Sequence, residues 1–213
     1  MLININGEIP KEFFVFVDFS NQISANNYKA GAYTSAACST WGNKETLKKY
    51  IDGTLTYLPF LLANRDVNAI SSYCLNAINE YRVEYDAELC RAHYFSLYPS
   101  RLSATYAFGD YDTCGVVSQK YQWDIGTVRR FTLLDTPLNR VAKVNMEHVT
   151  LARYAYKLSS MQNIDQIWQS YWNGVGNIRL ELPDGENYSR NIRDSGVIWE
   201  YLIEGCLQPV DKI

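Results

Sequence analysis

Four segments of the chain concentrate apolar, aromatic and β-branched residues, and this pattern predicts strands. Residues 13–19 (FFVFVDF) are typical of a buried strand. Residues 102–108 (LSATYAF), 127–134 and 197–203 have a related character, and residues 127–134 keep one polar face. A turn at Gly205 is expected after the last of these strands.

Helices are predicted where apolar residues recur at spacings of three and four. The strongest signal of this kind lies between residues 64 and 95. Its apolar face comprises Val67, Ile70, Tyr73, Cys74, Ala77, Ile78 and Tyr81. A helix capped by Asn43 is expected to end near Gly53, and shorter helices are predicted over residues 113–121 and 161–172.

Two polar segments, residues 21–27 and 182–194, predict irregular structure. The sequence contains no internal repeat and no low-complexity linker. Helices gather in the first half of the chain and strands in the second, which indicates an α+β fold. We therefore expect a single domain over residues 1–213.

The composition is that of a globular protein and excludes several other classes. Hydrophobic residues make up 47% of the 213 residues and charged residues 20%, so the chain as a whole is not disordered. The net charge of −3 gives no overall basic footprint for nucleic acid. Five cysteines without a CxxC pair favour a reducing compartment over a structural zinc site. The first residues do not resemble a signal peptide and no stretch is long enough to span a bilayer, so we expect a cytoplasmic protein without a membrane partner.

The usual catalytic motifs do not occur in the sequence. Of the two histidines, His93 is expected to cap or pack at a helix end, and His148 is expected to be exposed. No serine lies in a GxSxG elbow, and neither a Walker loop nor a GxGxxG run is present. No histidine and carboxylate cluster has metal-ligand spacing, so no metal is expected.

Three short motifs remain, and their order along the chain carries a resemblance. They are residues 99–106 (PSRLSATY), 171–174 (YWNG) and 199–205 (WEYLIEG). In this order they resemble the ADP-ribosyltransferase superfamily, and in particular a family of uncharacterised bacterial domains with PSRL, YW-G and E-x-L-x-x-G motifs. The resemblance covers roughly residues 76–210. It implies an ADP-ribosyltransferase-like split β-sheet core with N-terminal and flanking helices.

The resemblance further implies that NAD+ is the substrate. Enzymes of this superfamily break the bond between nicotinamide and ribose through an oxocarbenium-like state, which a glutamate on a late strand stabilises. Glu200 matches that position, and strand alternation places it on one face with Leu202 and Glu204. The alternative for Glu200 is a solvated charge on an edge strand.

The same resemblance assigns four residues to binding of NAD+. Ser103 and Thr105 fit a Ser-x-Ser element whose hydroxyl groups brace the catalytic glutamate. Tyr106 follows them as an aromatic side chain that can stack on nicotinamide. Arg101 is assigned to a phosphate, because guanidinium groups bind phosphate in a bidentate manner, with a structural ion pair as the alternative.

Two positions depart from the superfamily pattern. The first predicted strand contains neither the arginine nor the histidine that usually anchors NAD+. Ile198 stands two residues before Glu200, where enzymes that modify arginine carry Glu or Gln. Protein arginine is therefore not the expected acceptor.

Several functions stay open on this pattern. The acceptor is expected to be a nucleic-acid base or another macromolecular side chain, and a small molecule is a further alternative. The superfamily also implies a bacterial or phage toxin or defence effector, with a neutralising antitoxin or other partner protein. The missing first-strand residue equally fits a non-catalytic interaction domain on the same fold. Water as the acceptor would make the protein an NAD+ glycohydrolase.

Overall fold

The computed structural model describes residues 3–5, 7–55, 72–157, 164–183 and 190–210. Its architecture is mixed α+β, as the element order predicted. The ten strands are β1 (Ile3–Ile5), β2 (Phe13–Phe16), β3 (Tyr33–Thr34), β4 (Thr105–Ala107), β5 (Val128–Leu133), β6 (Arg140–Asn145), β7 (Arg179–Pro183), β8 (Arg190–Asp194), β9 (Trp199–Glu204) and β10 (Cys206–Pro209), all counted over the described residues. The α-helices in the same residues are α1 (Gln22–Lys29), α2 (Lys44–Ile51), α3 (Ser72–Tyr94), α4 (Tyr111–Tyr121), α5 (Glu147–Lys157) and α6 (Ile164–Trp172).

The described residues divide into two compact units. Unit 1 comprises those within Met1–Leu55, Leu97–Val144 and Ile198–Ile213. Unit 2 comprises those within Thr56–Ser96 and Asn145–Val197. Each unit is described by itself below, and the expectation of one domain over residues 1–213 stays a prediction.

Unit 1 is built on two four-stranded sheets. The first has the strand order β1-β6-β9-β4, in which β1 runs parallel to β6 and β4 runs antiparallel to β9. The second has the order β2-β5-β10-β3 with antiparallel neighbours throughout. An isolated bridge between Phe14 and Phe108 connects the sheets, and the chain passes directly from β9 to β10 through Gly205.

The core of unit 1 contains residues from both sheets. On β2, alternation buries Phe13 and Val15, and on β9 it buries Tyr201 and Ile203. The remaining buried members of this core are Val17, Tyr28, Ala107, Phe131, Val141 and Leu207. Glu200, Leu202 and Glu204 alternate with Tyr201 and Ile203 on β9, so they face the opposite side of the sheet.

Gly205 forms the corner at which the chain leaves one sheet and enters the other. Its N–H donates to Ser35 Oγ at 3.0 Å, and its carbonyl accepts from the Ser35 N–H at 3.0 Å. A Cβ at this position would lie 2.8 Å from Asn139 Oδ1 and 2.9 Å from Leu133 Cδ1. The corner therefore requires a residue without a side chain. The turn was predicted at Gly205, and β10 begins directly after this residue.

The helices near the start of unit 1 are set by asparagine caps. The helix expected after Asn43 is α2, and the Asn43 side chain accepts from the N–H groups of Glu45 and Thr46. The interpretation of residues 21–27 as irregular was wrong. They belong to α1, because Asn21 caps the helix by accepting from the N–H groups of Ile23 and Ser24.

Unit 2 packs three helices and one hairpin. α3 packs on α5 and α6, and Trp172 Nε1 donates to the Ala87 carbonyl at 2.9 Å. The described part of the long predicted helix is α3, and residues 64–71 of that prediction lie outside the described residues. The prediction of a loop over residues 182–194 was wrong at both ends. The segment begins within β7 and ends within β8, and these two strands pair antiparallel. Every residue of β8 is exposed, so no apolar alternation marks the strand.

Candidate functional site

Glu200 lies on an interior strand and is buried. Its strand β9 has β6 on one side and β4 on the other, and the residue is only 4% exposed. The alternative of a solvated charge on an edge strand is therefore excluded. Arg101 Nη1 lies 3.5 Å from Glu200 Oε1, so the two side chains form a buried ion pair.

Glu204, two positions further along the same face, is completely buried and tightly held. Its Oε1 accepts hydrogen bonds from the Ser103 hydroxyl at 2.6 Å and from the Ser100 N–H at 2.9 Å. Its Oε2 lies 3.8 Å from Arg140 Nη1 and has no hydrogen-bond partner among the described residues. The hydroxyl brace that the resemblance implies for Glu200 thus falls on Glu204.

Arg140 carries the positive charge next to Glu204. Its guanidinium lies over the Tyr50 ring, 3.8 Å from the ring centre, and it donates a hydrogen bond to the Tyr50 carbonyl. The side chain is also almost completely buried. A buried cation of this kind requires an opposite charge nearby, and Glu204 supplies it.

The segment that carries Ser103 is a turn rather than a strand. The Ser100 carbonyl accepts from the N–H groups of Ser103 and Ala104, and the strand β4 begins only at Thr105. The predicted strand over residues 102–108 was therefore too long at both ends. This turn brings Ser103 next to β9, so that the Ser103 hydroxyl reaches Glu204.

Tyr106 links Arg101 to the molecular surface. Its hydroxyl donates to the Arg101 carbonyl at 2.8 Å, and the guanidinium carbon of Arg101 lies 5.2 Å from the centre of its ring. Tyr106 itself is 36% exposed, whereas Arg101 is 8% exposed. The arginine assigned to a phosphate is thus held in an ion pair beneath an aromatic ring.

A cavity of about 430 Å³ opens within unit 1 next to this cluster. It lies among β2, α1, β3 and the segment that leads into β4. Its lining residues are Val15, Phe16, Asp18, Asn21, Ile23, Ser24, Asn27, Tyr33, Thr34, Ser35, Ala36, Leu102, Ser103, Ala104, Thr105 and Tyr106. Three of the predicted binding residues, Ser103, Thr105 and Tyr106, therefore share one cavity wall. Arg101 and Glu200 do not line it.

The cavity carries one negative charge. Of the described lining residues only Asp18 is charged. The hydroxyl and N–H of Ser20 and the N–H of Asn21 donate to its carboxylate, and these hydrogen bonds lower the pKa of Asp18. The first predicted strand, β2, contributes Val15 and Phe16 to the wall, so it offers an apolar surface where the superfamily usually has a basic side chain.

Sequence reasoning missed three parts of this site. Alternation placed Glu200 and Glu204 on one face. The hydrogen bond from Ser103 to Glu204 depends in addition on the register of β4 with β9, in which Thr105 lies opposite Ile203. Nothing in the sequence marked Arg140 as the partner of Glu204. Asp18 falls inside the strand predicted over residues 13–19, whereas the observed β2 ends at Phe16 and leaves Asp18 in the segment after it.

The two histidines lie outside this cluster. His148 was expected to be exposed, which was wrong, because α5 buries it completely and its Nε2 lies 2.7 Å from the Gly176 carbonyl. His93 lies near the end of α3 and is exposed. Across the described ranges, no three His, Cys, Asp or Glu side chains form a group that could hold a metal ion. In the same ranges, no helix has the length and apolar character needed to cross a membrane.

Comparison with known proteins adds no family to this picture. No protein-family model matches the chain, and no curated protein matches it.

Proposed function

We propose that the protein is an ADP-ribosyltransferase that transfers ADP-ribose from NAD+ to a macromolecular acceptor. The observation that carries the proposal is the buried cluster on β9 and the segment before β4. Ser103 binds Glu204, Arg101 binds Glu200, and Ser103 also lines the adjoining cavity. The Ser103 hydroxyl thus joins the cavity wall to the strand that carries both glutamates, and a buried carboxylate on that strand is suited to stabilising positive charge on a bound ligand.

We assign different roles to the two glutamates. Glu204 positions the turn at residues 100–103, because both donors to its Oε1 come from that turn and its burial is complete. Glu200 is the carboxylate for the oxocarbenium-like state. Its Oε1 lies 3.5 Å from Arg101 Nη1, and it occupies the late-strand position that the superfamily resemblance gives to the catalytic glutamate.

Donor binding must open the Arg101–Glu200 pair for this mechanism. Neither side chain lines the cavity, but Tyr106 does, and Arg101 lies against its ring. Movement of Tyr106 on a ligand would therefore release the guanidinium and expose the Glu200 carboxylate. In that state the carboxylate would face the cation that forms as nicotinamide leaves.

The acceptor under this proposal is a nucleic-acid base or a protein side chain other than arginine. Ile198, at the position that faces the acceptor in arginine-modifying enzymes, is apolar and 8% exposed. Such a side chain neither orients nor deprotonates a guanidinium. A toxin or defence role, with a neutralising partner protein, follows from the superfamily resemblance and is part of the same proposal.

A non-catalytic interaction domain is the second candidate, and one observation favours it. Both glutamates are buried beside arginines, and the described cavity wall has no basic residue to hold the phosphates of NAD+. In this alternative the buried ion pairs stabilise the fold, and the cavity binds a ligand without chemistry.

Incubation with NAD+ followed by product analysis separates the candidates. A macromolecule that acquires ADP-ribose, with release of free nicotinamide, supports the transferase. Free ADP-ribose without labelled macromolecule supports the glycohydrolase. If NAD+ stays intact in the presence of a whole-cell extract that supplies acceptors, the interaction domain replaces both enzymes.

A further inference from the structure

Another cavity, of about 450 Å³, lies within unit 2 between α3 and α6. The side chains that α3 contributes to its wall include Asp86, Leu89 and Cys90, whose spacings of three and four place them on one face of the helix. The first turn of α6 contributes Ile164 and Asp165. This unit 2 cavity shares no described lining residue with the cavity in unit 1, so it requires a ligand of its own.

The charge of the unit 2 cavity is negative. Asp86 and Asp165 line it from different helices, and no lysine or arginine is among its described lining residues. Arg82, one turn before Asp86 on α3, lies over the Tyr156 ring and not in the cavity wall. Burial and the charge of Asp165 raise the pKa of Cys90 to about 11. The thiol therefore stays neutral near neutral pH, and the two carboxylates set the charge.

Both carboxylates are available to a ligand. Over the part of the chain that the structure describes, neither Asp86 nor Asp165 forms an ion pair. Asp86 Oδ2 accepts a hydrogen bond from the hydroxyl of Tyr156, which is buried, so the Asp86 side chain is held in place without losing its charge. Two negative charges in one cavity favour a ligand with two positive charges, because each carboxylate then gains an opposite charge.

The lining of the cavity fits an organic cation better than a metal ion. Among the residues placed by the structure, no three His, Cys, Asp or Glu side chains are grouped so that they could hold a metal. The volume also far exceeds that of a single ion, and other parts of the wall are formed by Leu89, Ile164 and the Tyr94 ring. An alkyl chain packs on such side chains, and an ammonium group is attracted by the face of a tyrosine ring.

We propose that the unit 2 cavity binds a short linear diamine, an alkyl chain with an ammonium group at each end. One ammonium group pairs with Asp86 and the other with Asp165, and the alkyl chain covers Leu89 and Ile164. No bond is made or broken in this interaction. The inference concerns unit 2 alone and does not rest on the proposed function.

Three ligands of one chain length test the inference. Cadaverine carries two ammonium groups on a five-carbon chain, pentylamine carries one, and pentanediol carries none. Each is titrated into the ¹⁵N-labelled protein at low ionic strength and pH 8, above the range in which imidazole groups ordinarily take up a proton. We expect cadaverine to bind more tightly than pentylamine by about two- to fivefold, the size expected for one exposed charge pair, and pentanediol to bind most weakly. The NMR shifts should concentrate on the cavity residues of α3 and α6, and added salt should shrink the ratio.

Two substitutions remove the charges one at a time. Asp165→Asn should bring cadaverine and pentylamine to nearly equal affinity, because only one carboxylate remains. Asp86→Asn should do the same, and its amide oxygen still accepts from the Tyr156 hydroxyl. The matched control is Glu80→Gln, which removes an exposed carboxylate from the same helix, where it is paired with Arg153 and does not line the cavity. It should leave the ratio unchanged, and a melting curve for each variant shows that the fold is retained.

The outcomes decide the inference independently of the enzyme. Equal affinity of cadaverine and pentylamine for the parent protein, no binding of either, shifts located away from α3 and α6, or a ratio that both aspartate variants leave unchanged would overturn it. Binding of cadaverine without any cleavage of NAD+ would keep this inference and remove the transferase. Cleavage of NAD+ by a protein that does not bind cadaverine would do the reverse.

Discussion

The Ser103 hydroxyl lies 2.6 Å from Glu204 Oε1 and donates a hydrogen bond to it, although the two residues are 101 positions apart in the sequence. This bond fixes the turn before β4 to the end of β9. Since Glu204 also faces Arg140, the same carboxylate neutralises a buried cation. The stability of unit 1 and the shape of the cavity wall therefore depend on one side chain.

Glu204→Gln should destabilise the protein by about 3 kcal/mol, because it leaves the buried Arg140 without an opposite charge. Chemical denaturation measures this directly. The control is Glu45→Gln on the surface of α2, where Glu45 is paired with Lys49 and both side chains are exposed. That variant should melt with the parent, because surface pairs contribute little. A Glu204→Gln protein with the parent's stability would show that Arg140 is compensated elsewhere.

Glu200→Gln should lower NAD+ turnover on the order of 10²–10³-fold, because the carboxylate acts chiefly in the transition state. Binding of NAD+ should change much less. Glu204→Gln serves poorly as the control, since Glu204 lies on the same strand and holds the turn that lines the cavity. Glu88→Gln is better matched, because it removes a buried carboxylate from an ion pair with Arg91 in unit 2. Turnover per folded molecule should be normal for Glu88→Gln, and normal turnover in folded Glu200→Gln would remove Glu200 from the mechanism.

Label transferred from NAD+ should not appear on arginine side chains. The reason is Ile198, whose buried apolar side chain cannot activate a guanidinium. Incubation with labelled NAD+ and a mixed extract, followed by mapping of the modified sites, provides the measurement. Modified arginines would show that Ile198 does not govern the choice of acceptor.

Gly205→Ala should cost about 1–3 kcal/mol, because a new Cβ would overlap with Asn139 and Leu133. Asn139 cannot move aside easily, since its side chain donates to the Leu134 carbonyl and accepts from Thr136. Gly115→Ala in α4 is the control, because a Cβ there meets nothing within 4 Å. It should raise stability by about 0.5–1 kcal/mol through helix propensity. Equal effects of the two variants in urea denaturation would contradict the close packing at the β9–β10 corner.

Stability should fall below neutral pH in part because of His148. Burial lowers the pKa of His148 from its ordinary value of 6.5. The unfolded chain therefore binds a proton as the pH falls through about 6.5, while the folded protein binds it only at a lower pH. The contribution of this group to the free energy of unfolding thus decreases as the pH drops below about 6.5, by at most about 1.4 kcal/mol per pH unit.

His148→Gln should reduce this slope when denaturation is followed between about pH 7.5 and 5.5. Protonation of the parent ring would place a hydrogen on Nδ1, which has no partner among the described residues. His93→Gln, at an exposed position on α3, should retain the parent's slope. A His148→Gln protein with an unchanged slope would assign the acid sensitivity to carboxyl groups instead.

The sequence predicted those parts of the fold that leave a local signal. β2 shows alternating burial, α2 has an asparagine cap, and β5 is rich in β-branched and aromatic residues, and the structure has all three close to the expected places. α1 and β8 could not be found in this way. α1 buries Tyr28 alone, and β8 buries nothing, so neither leaves a periodic apolar signal.

The site was predictable as a set of residue types but not as a set of contacts. Glu200 and Glu204 lie on β9 as expected, whereas Ser103 lies in a turn and not on the predicted strand. Which glutamate receives the hydroxyl depends on how β4 aligns with β9, and that register is fixed by tertiary packing over a long sequence separation. Arg140 and Tyr50 enter the cluster from distant segments that carry no shared motif.

The late position of β9 and β10 in the chain has a consequence for folding during synthesis. Each of the two sheets in unit 1 has one of these strands in its interior, between strands made much earlier. Neither sheet can complete its hydrogen bonding until the ribosome has released residues up to Pro209. Until then β4, β5 and β6 present open edges, so the nascent protein depends on chaperones or on rapid closure to avoid association with other chains.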